Sequence, residues 1–155
     1  MQVYEMLVNI IFGFIIPWLA AIYLVRKSPK ILLLIFPVGA LVSMIINSLG
    51  FQMKFWDFTP LIPDDQSVSA MPLDLGLYPL LACFMIRIIF LHRKKTVLVL
   101  LLFVLFTTLL EYMGLLIGKV SYGNGWNIGY TILSYLLAFS CAYLYFRLLE
   151  KFRVL

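Results

Sequence analysis

The sequence predicts an all-α polytopic membrane protein, a bundle of five transmembrane helices with its N-terminus outside and its C-terminus in the cytoplasm. Three observations carry that prediction. Of 155 residues, 64% are hydrophobic and 12% are charged, with a mean hydropathy of +1.05. No water-soluble core needs so much apolar surface. The apolar residues gather into five runs, each long enough at about 1.5 Å per residue to cross about 30 Å of hydrocarbon. The basic residues lie between those runs, and almost all of them at the same set of ends.

The first run covers about 5–25 and ends at Arg26, Lys27 and Lys30; the second covers about 31–50. The third, about 72–91, stops at His92-Arg93-Lys94-Lys95, and the fourth is about 96–118. The fifth, about 128–149, closes with Glu150, Lys151 and Arg153. Residues 1–155 thus read as a single transmembrane domain with a long external loop at 51–71. The short links 26–30 and 92–95 make helices one and two, and three and four, antiparallel neighbours.

Orientation follows from charge. Arg26, Lys27, Lys30, Arg87, Arg93, Lys94, Lys95, Arg147, Lys151 and Arg153 fall at one set of ends, and only Lys54 and Lys119 at the other. Lys and Arg are enriched on the cytoplasmic side of membrane proteins. The long loop and the turn at 119–127 therefore face out, and the plasma membrane is the expected location.

The net charge of +5 does not point to nucleic acid. The basic residues form no stripe with interleaved aromatics, so no nucleic-acid partner is expected. Cys83 and Cys141 sit in apolar runs without Cys or His at metal-ligand spacing and read as small hydrophobes. Residues Met1 to Glu5 carry no positive charge, so a cleaved signal peptide is not expected. His92 abuts a basic cluster and reads as a headgroup-level residue. Glycine-rich phosphate loops, HExxH patterns and nucleophile elbows are absent; no metal or cofactor is expected.

The segment from Phe55 to Pro79 holds four of the seven acidic residues: Asp57, Asp64, Asp65 and Asp74. A loop this long in a small domain is often functional. Phe55, Trp56 and Phe58 are expected at headgroup depth as an aromatic belt. Pro60 and Pro63 break any helix there. Asp57, Asp64 and Asp65 read as solvated. In the turn at 119–127, Gly123 and Gly125 supply turn conformations.

Polar residues inside the runs gather in the external half. Asn9 and Asn47 lie near the outer ends of helices one and two. Asp74 and Tyr78, four residues apart, share a face at the start of helix three. Asn127, Tyr130 and Ser134 open helix five. Stripes of small and weakly polar residues mark the inward faces: Ala40, Ser43, Asn47 and Gly50; Thr107, Glu111, Gly114 and Gly118; Asn127, Thr131, Ser134, Ala138, Cys141 and Tyr145. Together they predict one polar cup opening outward.

Glu111 lies roughly 10 Å below the outer end of helix four. An acid at such depth costs about 2.5 kcal/mol or more and is usually functional or paired. It serves either as a proton donor to a ligand or as a packing acid bonded to Asn47 or Tyr130. Asp74, after Pro72, either caps helix three, worth about 1 kcal/mol, or joins Glu111. The candidate catalytic residues are therefore Glu111 and Asp74, and the candidate ligand-binding residues Asn47, Asp57, Tyr78, Trp126, Asn127 and Tyr130.

The combination Asn47-x-x-Gly50, Trp56-Asp57-Phe58-Thr59-Pro60, Pro72-Leu73-Asp74 and Tyr78-Pro79, with Glu111, Gly125-Trp126-Asn127 and Ser134-Tyr135, resembles a family of small polytopic membrane proteins from endospore-forming bacteria. The likeness spans about 31–149; it implies a five-helix plasma-membrane protein and brings no established activity. That family more often has an aspartate where this chain has Asn47. Trp56, Phe58, Pro72 and Asp74 also resemble a motif of the integral-membrane lycopene and related terpene cyclases, in which an embedded acid protonates an isoprenoid. This chain has one acid after Pro72 where the cyclases usually have two.

Three function classes follow. The first is an accessory, structural or binding protein whose polar residues fix packing or dock a partner. The second is an enzyme using Glu111 or Asp74 as general acid on a lipid or isoprenoid. The third is a protein that binds or transports a cation or small solute. No inverted repeat or pair of broken helices supports a lone secondary transporter. Membrane lipids are the expected surroundings, with a second copy or another membrane protein supplying what one chain lacks.

Overall fold

Five helices long and apolar enough to cross a membrane make up most of the chain. They are α1 (Val3–Lys27), α2 (Pro29–Gln52), α3 (Ser67–Leu91), α4 (Arg93–Leu116) and α5 (Ile128–Lys151). The computed structural model describes residues 2–62 and 65–155, so the expectations for Pro63 and Asp64 lie outside the described residues. Helix α2 packs along α3 and α5, and α4 along α5. Leu24, Ile35, Leu80, Met85, Ile86, Val104, Phe139 and Phe146 form the shared core. Large apolar side chains such as Leu33, Leu41, Leu98, Leu105, Leu133 and Leu144 point outward on the helices. So much exposed apolar surface is a membrane-facing coat rather than a soluble exterior.

The loops hold a feature the sequence reading lacks. Trp56–Phe58 (β1) and Val120–Tyr122 (β2) pair as a two-stranded antiparallel ribbon, with Trp56 opposite Tyr122 and Phe58 opposite Val120. Flanking bonds from Thr59 N–H to the Lys119 carbonyl (3.0 Å) and from Gly123 N–H to the Phe55 carbonyl (2.9 Å) extend it. Strand alternation sends Trp56 and Phe58 onto the helix ends, where both are buried beside Ala70, and leaves Asp57 on the other face. The expected aromatic belt at Trp56 and Phe58 is thereby corrected: these rings form a second small core. Beyond β2, Asn124 and Gly125 take positive φ (45° and 74°) in a turn closed by Trp126 N–H to the Gly123 carbonyl at 2.9 Å. Gly123 serves by its size instead, since a Cβ there would stand 2.6 Å from the Lys54 carbonyl oxygen.

Helix α3 begins at Ser67 rather than near Pro72. Neighbours hold its first turns helical despite the proline. The Ser69 hydroxyl donates to the Pro60 carbonyl, and Asn9 Nδ2 donates to the carbonyls of Thr59 (2.7 Å) and Ser69 (3.1 Å). Asp74 therefore sits inside a continuous helix, and the expected capping role at a helix start does not apply.

Two π-helical turns, Ile11–Ile15 in α1 and Leu73–Leu77 in α3, lie against each other. Each precedes a proline by a residue or two, Pro17 and Pro79. A proline lacks the N–H of the ladder and its ring displaces the carbonyl four residues back, and a π-turn is one way to absorb the misfit. The Leu75 carbonyl set free by Pro79 accepts from Trp18 Nε1 at 2.9 Å. Gly13 and Gly76 let the two backbones touch: a Cβ on Gly76 would stand 2.1 Å from the Gly13 carbonyl oxygen.

The stripe on α2 is buried as expected, through Ala40, Ser43, Asn47 and Gly50. On α5 the buried line is Thr131, Phe139, Ala142, Phe146 and Leu149. The small residues Ser134, Ala138 and Cys141 flank it, because the large rings win the centre of the core.

Candidate functional site

Two carboxylates anchor two hydrogen-bond networks at the ribbon end of the bundle. Asp74, 3% exposed, accepts on Oδ1 from the Ser43 hydroxyl and from Asn47 Nδ2 at 2.7 Å. Asn47 Oδ1 in turn accepts from Trp56 Nε1 at 3.2 Å. The chain Trp56–Asn47–Asp74–Ser43 therefore ties β1 to α2 and α2 to α3.

Glu111 on α4 centres the second network. Its Oε1 accepts from the Tyr122 hydroxyl (2.5 Å) and the Thr131 hydroxyl (3.1 Å), and its Oε2 accepts from the Tyr135 hydroxyl. Trp126 Nε1 donates to Thr131 Oγ1 at 2.9 Å. The Tyr135 oxygen lies 3.3 Å from that of Tyr78. The Tyr135 hydroxyl is oriented to donate to both Glu111 and the Tyr78 oxygen, so its one proton is shared between them. Burial, and then the Glu111 carboxylate, push the Tyr122 hydroxyl above the ordinary tyrosine range, which keeps it a neutral donor. The packing partners expected for Glu111, Asn47 and Tyr130, are replaced by Tyr122, Thr131 and Tyr135.

A cavity of about 50 Å³ lies between the networks, lined by Ser43, Asn47, Tyr78, Glu111, Ser134 and Tyr135 under the rings of Trp56 and Trp126. Those two indoles meet edge to face at 4.7 Å, and Phe55 stacks on Trp126 at 4.8 Å. The cavity thus brings together Asn47, Tyr78, Glu111 and Trp126 of the expected site. Asp74 stands behind its wall, holding Ser43 and Asn47 in place. Asn127 is exposed and acts as the N-cap of α5, accepting from Gly129 N–H (2.9 Å) and Tyr130 N–H (3.4 Å). Tyr130 is half-exposed against Trp126, and Asp57 occupies the outward face of β1. These three do not line the cavity. The residues that sequence reasoning missed as Glu111 partners are Tyr122, Thr131 and Tyr135. Their signal was the demand of an embedded acid for donors, together with the hydroxyls of the one segment that follows it.

Among the described residues, no group of three or more His, Cys, Asp and Glu side chains is placed to hold a metal ion. The fold and cavity define the class: a five-helix membrane-type bundle with a ribbon-capped polar pocket. Comparisons with protein-family models, with curated proteins and with solved structures give no match.

Proposed function

We propose that this is a small plasma-membrane binding protein, N-terminus outside, whose outward pocket takes a small monovalent cation. One observation carries the reading. Glu111 accepts three hydroxyl bonds, two on Oε1 and one on Oε2, while a carboxylate offers about four acceptor positions. One position on Oε2 is left for a ligand, on the wall of a cavity ringed by hydroxyl and amide oxygens. Its volume exceeds the roughly 10–15 Å³ that one water needs, yet it suits nothing much larger than a partly hydrated ion. Three protons directed at Glu111 make it an acceptor, the reverse of what protonating a lipid requires.

Thermal unfolding of the purified protein tests this. Sodium, potassium and ammonium chlorides are compared with choline chloride at equal ionic strength. One small cation should raise Tm by about 5 °C at a hundredfold excess over its Kd, and Glu111→Gln should abolish that rise. An equal Tm in all four salts would overturn the reading.

The orientation has its own test. Ser67 and Lys94 are both exposed, at opposite ends of the bundle. A cysteine at Ser67 should react with an impermeant maleimide in intact cells, while one at Lys94 should react only after lysis. The reverse pattern would put the pocket on the cytoplasmic side.

A further inference from the structure

A second, much larger hollow of about 540 Å³ runs between α1 and α4 across the face of α3. Its walls are mostly apolar, with Phe12, Ile16 and Ala20 on one side and Phe106, Leu110 and Ile117 on the other, and Glu111 and Thr107 among the polar exceptions. Several of these are half-exposed or more, Phe12 at 64% and Ile117 at 72%, so the hollow is a groove open sideways to the bilayer. Its volume lies within the range of about 300–1,000 Å³ typical of ligand sites. Three measures fix what fits it. On α1 the lining runs from Val8 to Ala20, about 18 Å at helical rise. One leaflet of hydrocarbon is about 15 Å deep, half of about 30 Å. At the ribbon end the groove finishes at Lys119, one of only two basic residues at that end of the bundle. Lys119 Nζ lies 3.4 Å from the Glu5 carbonyl, and an ammonium has two further donors to offer.

We propose that this groove holds one acyl chain of an anionic phospholipid from the leaflet on the ribbon side, with the phosphate against Lys119. Groove length matches a single leaflet, the wall chemistry matches methylenes, and Lys119 sits at the groove's ribbon end, where a headgroup would begin. The groove shares the side chains of Tyr78, Glu111 and Tyr135 with the wall of the cation pocket, but the proposal rests on the groove's length and Lys119 rather than on the free acceptor of Glu111.

The test uses the full chain reconstituted in vesicles with trace chain-spin-labelled phosphatidylglycerol or phosphatidylcholine. The immobilised spectral component is expected to favour phosphatidylglycerol by about fivefold, the attraction of one lysine for an anionic headgroup. Lys119→Gln should equalise the two lipids while keeping the immobilised component. Ala20→Phe, at an exposed groove position, should at least halve that component for both lipids without changing the headgroup preference of what remains. Equal retention of the two lipids by the native chain, a preference that survives Lys119→Gln, or a component indifferent to Ala20→Phe would each overturn the proposal.

Discussion

Glu111→Ala lowers the stability of the purified protein by about 3 kcal/mol, while Glu111→Gln costs about 1 kcal/mol or less. The alanine strips the acceptor from Tyr122, Thr131 and Tyr135 together, and leaving buried donors unpaired costs about 1–3 kcal/mol each when nothing replaces the partner. Water entering the enlarged cavity offsets part of the sum. Glutamine keeps the shape and one acceptor oxygen, though its NH₂ group meets a hydroxyl that must turn around. Denaturant or thermal unfolding of the three proteins in one detergent checks the order. An alanine variant as stable as its parent would mean that the cluster does not fasten β2 and α5 to α4.

Gly76→Ala is the second large effect, also about 3 kcal/mol, at the upper end of overpacking costs. The added methyl meets the Gly13 carbonyl oxygen at 2.1 Å and the Phe14 Cα at 2.7 Å, both backbone. Backbone cannot step aside as a flexible side chain can, so α1 must lift from α3. Gly13→Ala is milder, because its Cβ meets Leu73 and Pro72 at 3.1–3.2 Å. Unfolding midpoints should rank native above Gly13→Ala above Gly76→Ala. Equal midpoints for the two variants would show that the π-turns yield more readily than two touching backbones should.

The five helices were legible because a span of apolar residues has few alternatives in lipid. Their ends were less so. Pro72 reads locally as a helix start, yet Asn9 and the Pro60 carbonyl hold the turns before it helical through Ser69. Composition marked Glu111 as an acid at unusual depth, and no local rule named its partners, because Tyr122 reaches it only through a ribbon pairing with a segment 66 residues away in register. Three residues of alternation, Trp56-Asp57-Phe58, are too short a signal to separate a strand from an interfacial belt. Asn127 illustrates the opposite error: a polar residue beside a site serves its own helix end.

The ribbon also dictates an order of manufacture. Every hydroxyl that Glu111 accepts comes from Tyr122, Thr131 or Tyr135, all downstream of it in the chain. During synthesis α4 enters the membrane carrying a bare acid, and its partners are made only afterwards. Trp56, made long before, likewise waits for β2 to close over it. A nascent chain halted between Glu111 and Tyr135 is therefore a natural substrate for membrane quality control, whereas a chain that has passed Tyr135, 24 residues beyond Glu111, carries every donor the acid accepts from. Truncations placed on either side of Tyr135 should differ sharply in lifetime in the cell, although both lack most of α5.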